Sequence, residues 1–187
     1  MANFRFLEYI NSGFAENNGI NNFPGADENE GEQYTYDNIR VNLVNLHQNC
    51  ISPLMDAFGD IGITSGYRSI ELNSSINPPG VEKSQHILGY AVDVISLSQP
   101  SSLIWNWCYQ NLPNWYQLIW EFPEKGNFTG TGSNPSWVHI SYVEGNNPKT
   151  TSLATNREDL HEIYKSEQTT RKGAYTHGIH LADENLI

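Results

Sequence analysis

A long helical period of apolar residues over 37–58, followed by strand-length runs, limits the fold class of this chain. From Asp37 onward Ile39, Leu43, Leu46, Cys50, Leu54 and Phe58 recur at helical intervals, with Val44 and Ile51 beside them. Asp37 stands where an N-cap is expected and Gly59 where the helix should stop, while Pro53 lies inside the pattern. A proline in a helix interior removes a hydrogen bond and crowds the carbonyl one turn back, so a kink or two helices are expected there. Beyond Gly59 come strand-length runs at 62–65, 91–95, 116–122 and 137–143, the second β-branched and the last two aromatic and β-branched. Two helical stretches interrupt them. One is short, at 69–76, ended by Asn77-Pro78-Pro79-Gly80. The other, at 101–112, has Leu103, Ile104, Trp107 and Cys108 in step and Pro100 near its start. Helices first and strands later make an α+β domain, a small, mostly antiparallel sheet with helices packed on it.

The flanks differ from this centre. Residues 4–23 form a mixed leading segment with apolar points at Phe4, Phe6, Leu7, Tyr9, Ile10 and Phe14, broken by Pro24-Gly25. Residues 25–37 are rich in acids and read as a solvated loop. Residues 126–136, rich in Gly, Ser and Thr, are a second loop. After Gly145-Asn146-Asn147-Pro148 the chain turns polar, with one amphipathic stretch at Leu160, Ile163 and Tyr164 behind Asn156. The expected division is an N-terminal segment with its acidic loop at 1–36, a central domain at 37–145 and a polar C-terminal extension at 146–187.

Charge and composition exclude several classes. Lys and Arg number 10 against 21 Asp and Glu, a formal net charge of −11, which opposes a nucleic-acid partner that needs a basic face. No apolar run approaches the roughly 20 residues of a membrane span. Met1-Ala2-Asn3-Phe4-Arg5-Phe6 lacks the apolar core of a secretory signal, so synthesis without a signal peptide is expected. With 5 Trp, 10 Tyr and 7 Phe the chain is too aromatic to be disordered, which leaves a soluble globular domain. Cys50 and Cys108 are far apart and each sits in an apolar pattern. They are expected to be reduced core thiols rather than a disulfide or a thiolate zinc knuckle.

Of six histidines, four lack a context for chemistry. His47 on the 37–58 helix is expected at the surface or its boundary. His161-Glu162-Ile163-Tyr164-Lys165 begins like a zinc-protease H-E-x-x-H but has Lys165 at the second ligand position. His177 and His180 lie in the polar tail. His86 and His139 differ. His86 precedes a strand that carries Asp93 among Ala91, Val92, Val94 and Ile95, and a carboxylate there is costly to bury without a compensating cation or hydrogen bonds. His139 shares a strand face with Trp137 and Ser141, opposite Val138, Ile140 and Tyr142. From spacing alone two readings stand level: a satisfied core histidine with a capping aspartate, or a His/Asp/His metal site.

The metal alternative makes chemical sense, because zinc uses two neutral imidazoles and a carboxylate in catalytic sites and keeps a fourth position open. Such a site needs a base. Glu121, a lone carboxylate in Leu118-Ile119-Trp120-Glu121-Phe122, is the candidate, its alternative being an edge-strand surface residue or an ion-pair partner. Arg68 would supply a fixed cation for a substrate carboxylate or a developing oxyanion, or else a structural salt bridge.

Together, Ser65-Gly66-Tyr67-Arg68-Ser69, Ser84-x-His86-x-x-Gly89-x-Ala91-x-Asp93 and Trp137-x-His139-x-Ser141-Tyr142 resemble the zinc D-Ala-D-Ala carboxypeptidase family. That family includes phage L-alanyl-D-glutamate endolysins and shares its fold with the hedgehog signalling domain. The motifs occur in the family's order and span about residues 37–143. The resemblance implies a hedgehog/DD-peptidase-like zinc peptidase domain at 37–145. It makes His86, Asp93 and His139 the Zn2+ ligands and Arg68 the residue that stabilises the transition state, with Ser84 and Tyr67 lining the substrate cleft. Many members place the catalytic Glu three residues before the last histidine, where this chain has Ser136. A phage-type subgroup carries an L-I-x-E-F strand instead, which matches residues 118–122 and assigns the base to Glu121.

The implied activity is hydrolysis of a peptidoglycan stem-peptide bond next to a D-amino acid, as a D,D-carboxypeptidase or an L-alanyl-D-glutamate endopeptidase. The implied source is a phage or prophage gene, its product made in the bacterial cytoplasm and acting at the cell wall. The acidic charge offers no attraction to an anionic wall. That motivates an alternative, a virion structural or tail-associated protein on the same fold, carried in a phage particle and touching other virion proteins through 25–37 and 146–187. A hedgehog-like zinc protein that binds a partner without hydrolysis is a third reading.

Overall fold

A computed structural model describes residues 2–77, 79–121, 135–154 and 175–177. The leading segment forms two short helices, α1 (Phe6–Ile10) and α2 (Gly13–Asn18), the second capped by the Ser12 hydroxyl on the Ala15 N–H and stopped by left-handed Gly19. The acidic loop contains two 3-10 turns, Glu28–Glu30 and Glu32–Tyr34, which lead straight into α3 (Tyr36–Leu46). Thr35, not Asp37, therefore occupies the N-cap position. Asp37 falls in the first turn, where its charge favours the helix N-terminus.

Pro53 acts on this helix as its chemistry requires. A π-helical turn at His47–Ile51 separates α3 from α4 (Ser52–Phe58), and the Ser52 N–H reaches back to the His47 carbonyl. The wider turn absorbs the bond that proline cannot make. Gly59 ends α4 in the left-handed conformation. Ile39, Leu43, Leu46, Cys50, Ile51 and Leu54 are completely buried along one side of this helical run. Each such side chain contributes about 1.5–3 kcal/mol by leaving water.

The remaining elements are β1 (Ile61–Ser65), α5 (Ile70–Ser75), a 3-10 turn at Gln85–Leu88, β2 (Ala91–Ser96), α6 (Ser101–Asn111), β3 (Gln117–Glu121), β4 (Trp137–Ser141), β5 (Thr150–Ala154) and β6 (Tyr175–His177). They form one sheet in the order β1-β2-β4-β3-β5-β6, antiparallel throughout except for the β3–β5 pair. This is the expected α+β architecture. Two of its strands, β5 and β6, come from the polar extension. The stretch at Leu160, Ile163 and Tyr164 lies outside the described residues, as do His161, His180 and most of the 126–136 loop.

Alternation divides the sheet. Val92 and Val94 of β2, Leu118 and Trp120 of β3, and Val138 and Ile140 of β4 pack in one core with Ile104, Trp105 and Cys108 of α6 and the α3–α4 run. Cys50 and Cys108 are free and belong to this core. Burial pushes the Cys50 thiol up to about 12 and raises that of Cys108 as well, so neither is a ready nucleophile. The other sheet face carries Asp93, His139, Ile119 and Glu121.

His47 is buried rather than at the surface or its boundary. It is 3% exposed, donates from Nε2 to the Ala2 carbonyl at 2.9 Å and accepts the Tyr9 hydroxyl on Nδ1 at 2.7 Å. The leading segment folds over this side of α3 and covers it.

Gly89 links the 3-10 turn to β2 at φ +69°, with the Ile39 carbonyl 2.9 Å from where a Cβ would sit. Gly89→Ala combines a left-handed penalty of about 1–2 kcal/mol with a backbone collision. We expect a loss of at least about 2 kcal/mol in urea unfolding, larger than for Ala at an exposed glycine.

Candidate active site

Strand register creates the centre. Asp93 of β2 pairs directly with His139 of β4, so both side chains leave the same sheet face. His86 comes from the 3-10 turn, whose first amides are capped by the Ser84 hydroxyl, which accepts from the His86 N–H at 3.3 Å. The Gly66 carbonyl lies 2.7 Å from His86 Nδ1. A carbonyl only accepts, so Nδ1 carries the proton and Nε2 keeps its lone pair. Gly66 can be nothing larger, because a Cβ there would collide with the Tyr9 carbonyl.

Three donor atoms then converge. His86 Nε2 is 3.3 Å from Asp93 Oδ1 and 3.3 Å from His139 Nδ1, and the latter is 3.0 Å from Asp93 Oδ1. The three residues are 4%, 5% and 6% exposed. A tetrahedral ion with bonds of about 2.0–2.1 Å spaces its ligand atoms about 3.3 Å apart, so this triangle fits one face of such a shell. The donor set fits as well, with two imidazole nitrogens and one carboxylate oxygen at an otherwise buried point. His139 Nε2 is buried with no hydrogen-bond partner among the described residues.

Glu121 lies on the same face. It sits opposite Trp137 in the β3–β4 register, is 7% exposed, and accepts a hydrogen bond from the Trp137 indole N–H. β3 runs between β4 and β5, so Glu121 is not on an edge strand. The Ser136 N–H bonds the Glu121 carbonyl at 2.9 Å, which closes the β3–β4 ladder beside it.

Residues 33–141 match the family description Peptidase M15. The chain belongs to the Peptidase M15 family. No curated protein matches it.

In this Peptidase M15 chain Arg68 is bound on two sides. Its Nη2 donates to Asp93 Oδ2 at 2.9 Å and its Nε to the Ser65 hydroxyl at 2.9 Å. Asp93 thus turns one oxygen to the histidines and the other to the guanidinium. Burial alone would raise the Asp93 carboxyl, but His86 and His139 outweigh it through charge and hydrogen bonds and hold it well below the usual range. Burial lowers His86, against the Asp93 charge, which raises it. Glu121 moves the other way. Burial first, then the Asp93 charge, pushes it up to about 7.

A cleft of about 310 Å³ opens over Arg68, Asp93 and Trp137, walled by Leu72 and Ile76 at the α5 side and by Asn11 from the leading segment. Tyr67 borders it, yet its ring is 2% exposed and its hydroxyl donates to Asp27 at 3.4 Å. The Ser84 hydroxyl is turned inward on the His86 amide. The sequence places Ser65 in a motif without a role and does not single out Asn22 or Asp27, all of which act here through hydrogen bonds. The glycine of Ser65-Gly66-Tyr67-Arg68 was the visible sign that a second backbone passes close.

Glu121 gives a pH test on the metal-free protein. Between its ordinary value of 4.5 and about 7 the folded chain holds a proton that the unfolded chain has released, so stability falls as pH rises through that window. Glu121→Gln removes this contribution. Unfolding by urea in the presence of a chelator should show wild type losing stability relative to the variant between those two pH values.

Proposed function

We propose that this chain is a zinc peptidase that cleaves a peptidoglycan stem-peptide bond next to a D-amino acid, as a D,D-carboxypeptidase or an L-alanyl-D-glutamate endopeptidase. The convergence of His86 Nε2, Asp93 Oδ1 and His139 Nδ1 at tetrahedral spacing beside an open cleft carries this reading. Bound zinc supplies Lewis acidity there, making water nucleophilic at neutral pH and polarising a carbonyl.

The chain's own residues do the rest. As a carboxylate, Glu121 accepts a proton from the attacking water and delivers it to the departing amine. The Trp137 indole N–H holds one carboxylate oxygen, which fixes the direction of that transfer. Arg68 places a permanent positive charge at the cleft, suited to a substrate carboxylate or to oxyanion charge as it develops. Its bonds to Asp93 and Ser65 keep that charge still. Ile76, half-buried at the cleft, offers an apolar contact for a small side chain.

The net charge of −11 supports a second, compatible reading. An acidic protein gains no steering toward an anionic wall, so a phage-encoded chain carried there in a virion, with contacts through 25–37 and 146–187, suits this charge better than a freely diffusing one. Among the described residues no helix is long and apolar enough to cross a membrane.

Mass spectrometry of peptidoglycan fragments after digestion tests the activity. Wild type should release fragments that end at one defined bond, and a chelator should stop the release. Glu121→Gln should lose about 10²–10⁴-fold in kcat while still binding one zinc. Intact fragments from zinc-loaded wild type would favour the virion or binding-protein reading. Full activity in the variant would remove Glu121 from the mechanism.

A further inference from the structure

The backbone around Arg68 is held by residues that precede the family match at 33–141. The Asn22 side chain makes three hydrogen bonds, two of them to that backbone. Its Nδ2 donates to the Ile10 carbonyl at 2.7 Å and to the Tyr67 carbonyl at 3.2 Å, and its Oδ1 accepts the Ser69 N–H at 2.7 Å. The Tyr67 carbonyl and the Ser69 N–H belong to the two peptide planes on either side of the Arg68 Cα. One planar amide therefore fixes both, and with them the direction in which the Arg68 side chain leaves the backbone.

The neighbouring bonds extend the same brace. The Tyr67 N–H donates to the Tyr9 carbonyl at 2.6 Å and the Ile70 N–H to Asp27 Oδ2 at 2.8 Å. The Arg68 N–H donates to the His86 carbonyl at 3.2 Å, while the Gly66 carbonyl receives His86 Nδ1. Displacing this loop thus disturbs two supports of the metal centre together: the Arg68 bond to Asp93 and the carbonyl that sets the His86 tautomer.

We infer that Asn22 is a positioning residue for the His86/Asp93/His139 centre, acting through Arg68 and Gly66. The inference rests on reading that centre as a metal site. The chemistry is particular to Asn, since its two N–H groups satisfy two carbonyls and its oxygen a third backbone group. Aspartate at this position keeps the acceptor for Ser69 and loses both donors.

The test compares full-length wild type, Asn22→Ala, Asn22→Asp and the core variant Leu54→Ala. It reads zinc affinity by competition with a chromophoric chelator, the visible spectrum of the cobalt-loaded protein, and Tm. Losing a support of the ligands weakens metal binding about 10–100-fold, and both Asn22 variants should fall in that range with an altered cobalt spectrum. Leu54→Ala should lower Tm and leave both metal readouts as in wild type. Wild-type zinc affinity and cobalt spectrum in a folded Asn22 variant, whatever its Tm, would overturn the inference. Should Asn22→Ala not fold, Asn22→Asp decides. A wild type that binds no zinc would instead bring down the metal-site reading, and this inference with it.

Discussion

Asp93 sits in the middle of the most apolar strand of the sheet, where an uncompensated charge would cost more than any single neighbouring side chain gains by burial. The surroundings answer that cost from several directions. His139 faces Asp93 across the β2–β4 ladder, His86 approaches from the capped turn, and Arg68 binds the far oxygen. Removing any one of them leaves a buried charge without part of its compensation. The same arrangement leaves two imidazole nitrogens and a carboxylate oxygen meeting at one point, so what stabilises the carboxylate also assembles a group that could hold a metal ion.

That centre is built from two kinds of support with different reach. Sheet register fixes Asp93, His139 and Glu121 relative to one another, because a one-residue slip would send each side chain to the opposite face. His86 and Arg68 lie outside regular strands and depend on turns and on backbone bonds to the leading segment. The collision that any Gly66 side chain would make with Tyr9 shows how closely the two backbones pass.

The parts legible in sequence were those encoded by local pattern. The apolar periods located α3, α4, α6 and β1 to β4, Pro53 marked the interruption and Gly59 the stop. Asp93 was conspicuous because its neighbours are apolar, and the histidine spacing raised a metal site as one of two alternatives. What stayed hidden is long-range in the chain. Asn22 meets backbone groups 45 and 47 residues away, and nothing beside it in sequence distinguishes it from Asn21. His47, expected at the surface or its boundary, is buried because helical phase says nothing about a second segment covering that side. Thr35 replaced Asp37 at the cap because the 3-10 turns start the helix sooner. β5 was unreadable for a related reason: its residues, Thr150–Ala154, carry little apolar alternation, and their pairing with β3 is made by the backbone.

That pairing has a consequence for how the chain can be shortened. β3 carries Glu121, and its outer hydrogen-bonding edge is occupied by β5 from beyond residue 145. A chain cut after β4 would leave a row of unpaired N–H and C=O groups along an apolar strand, an open template for a second molecule to add to. β5 therefore covers an apolar strand that carries Glu121 and moves the outer edge of the sheet to the more polar strand β6.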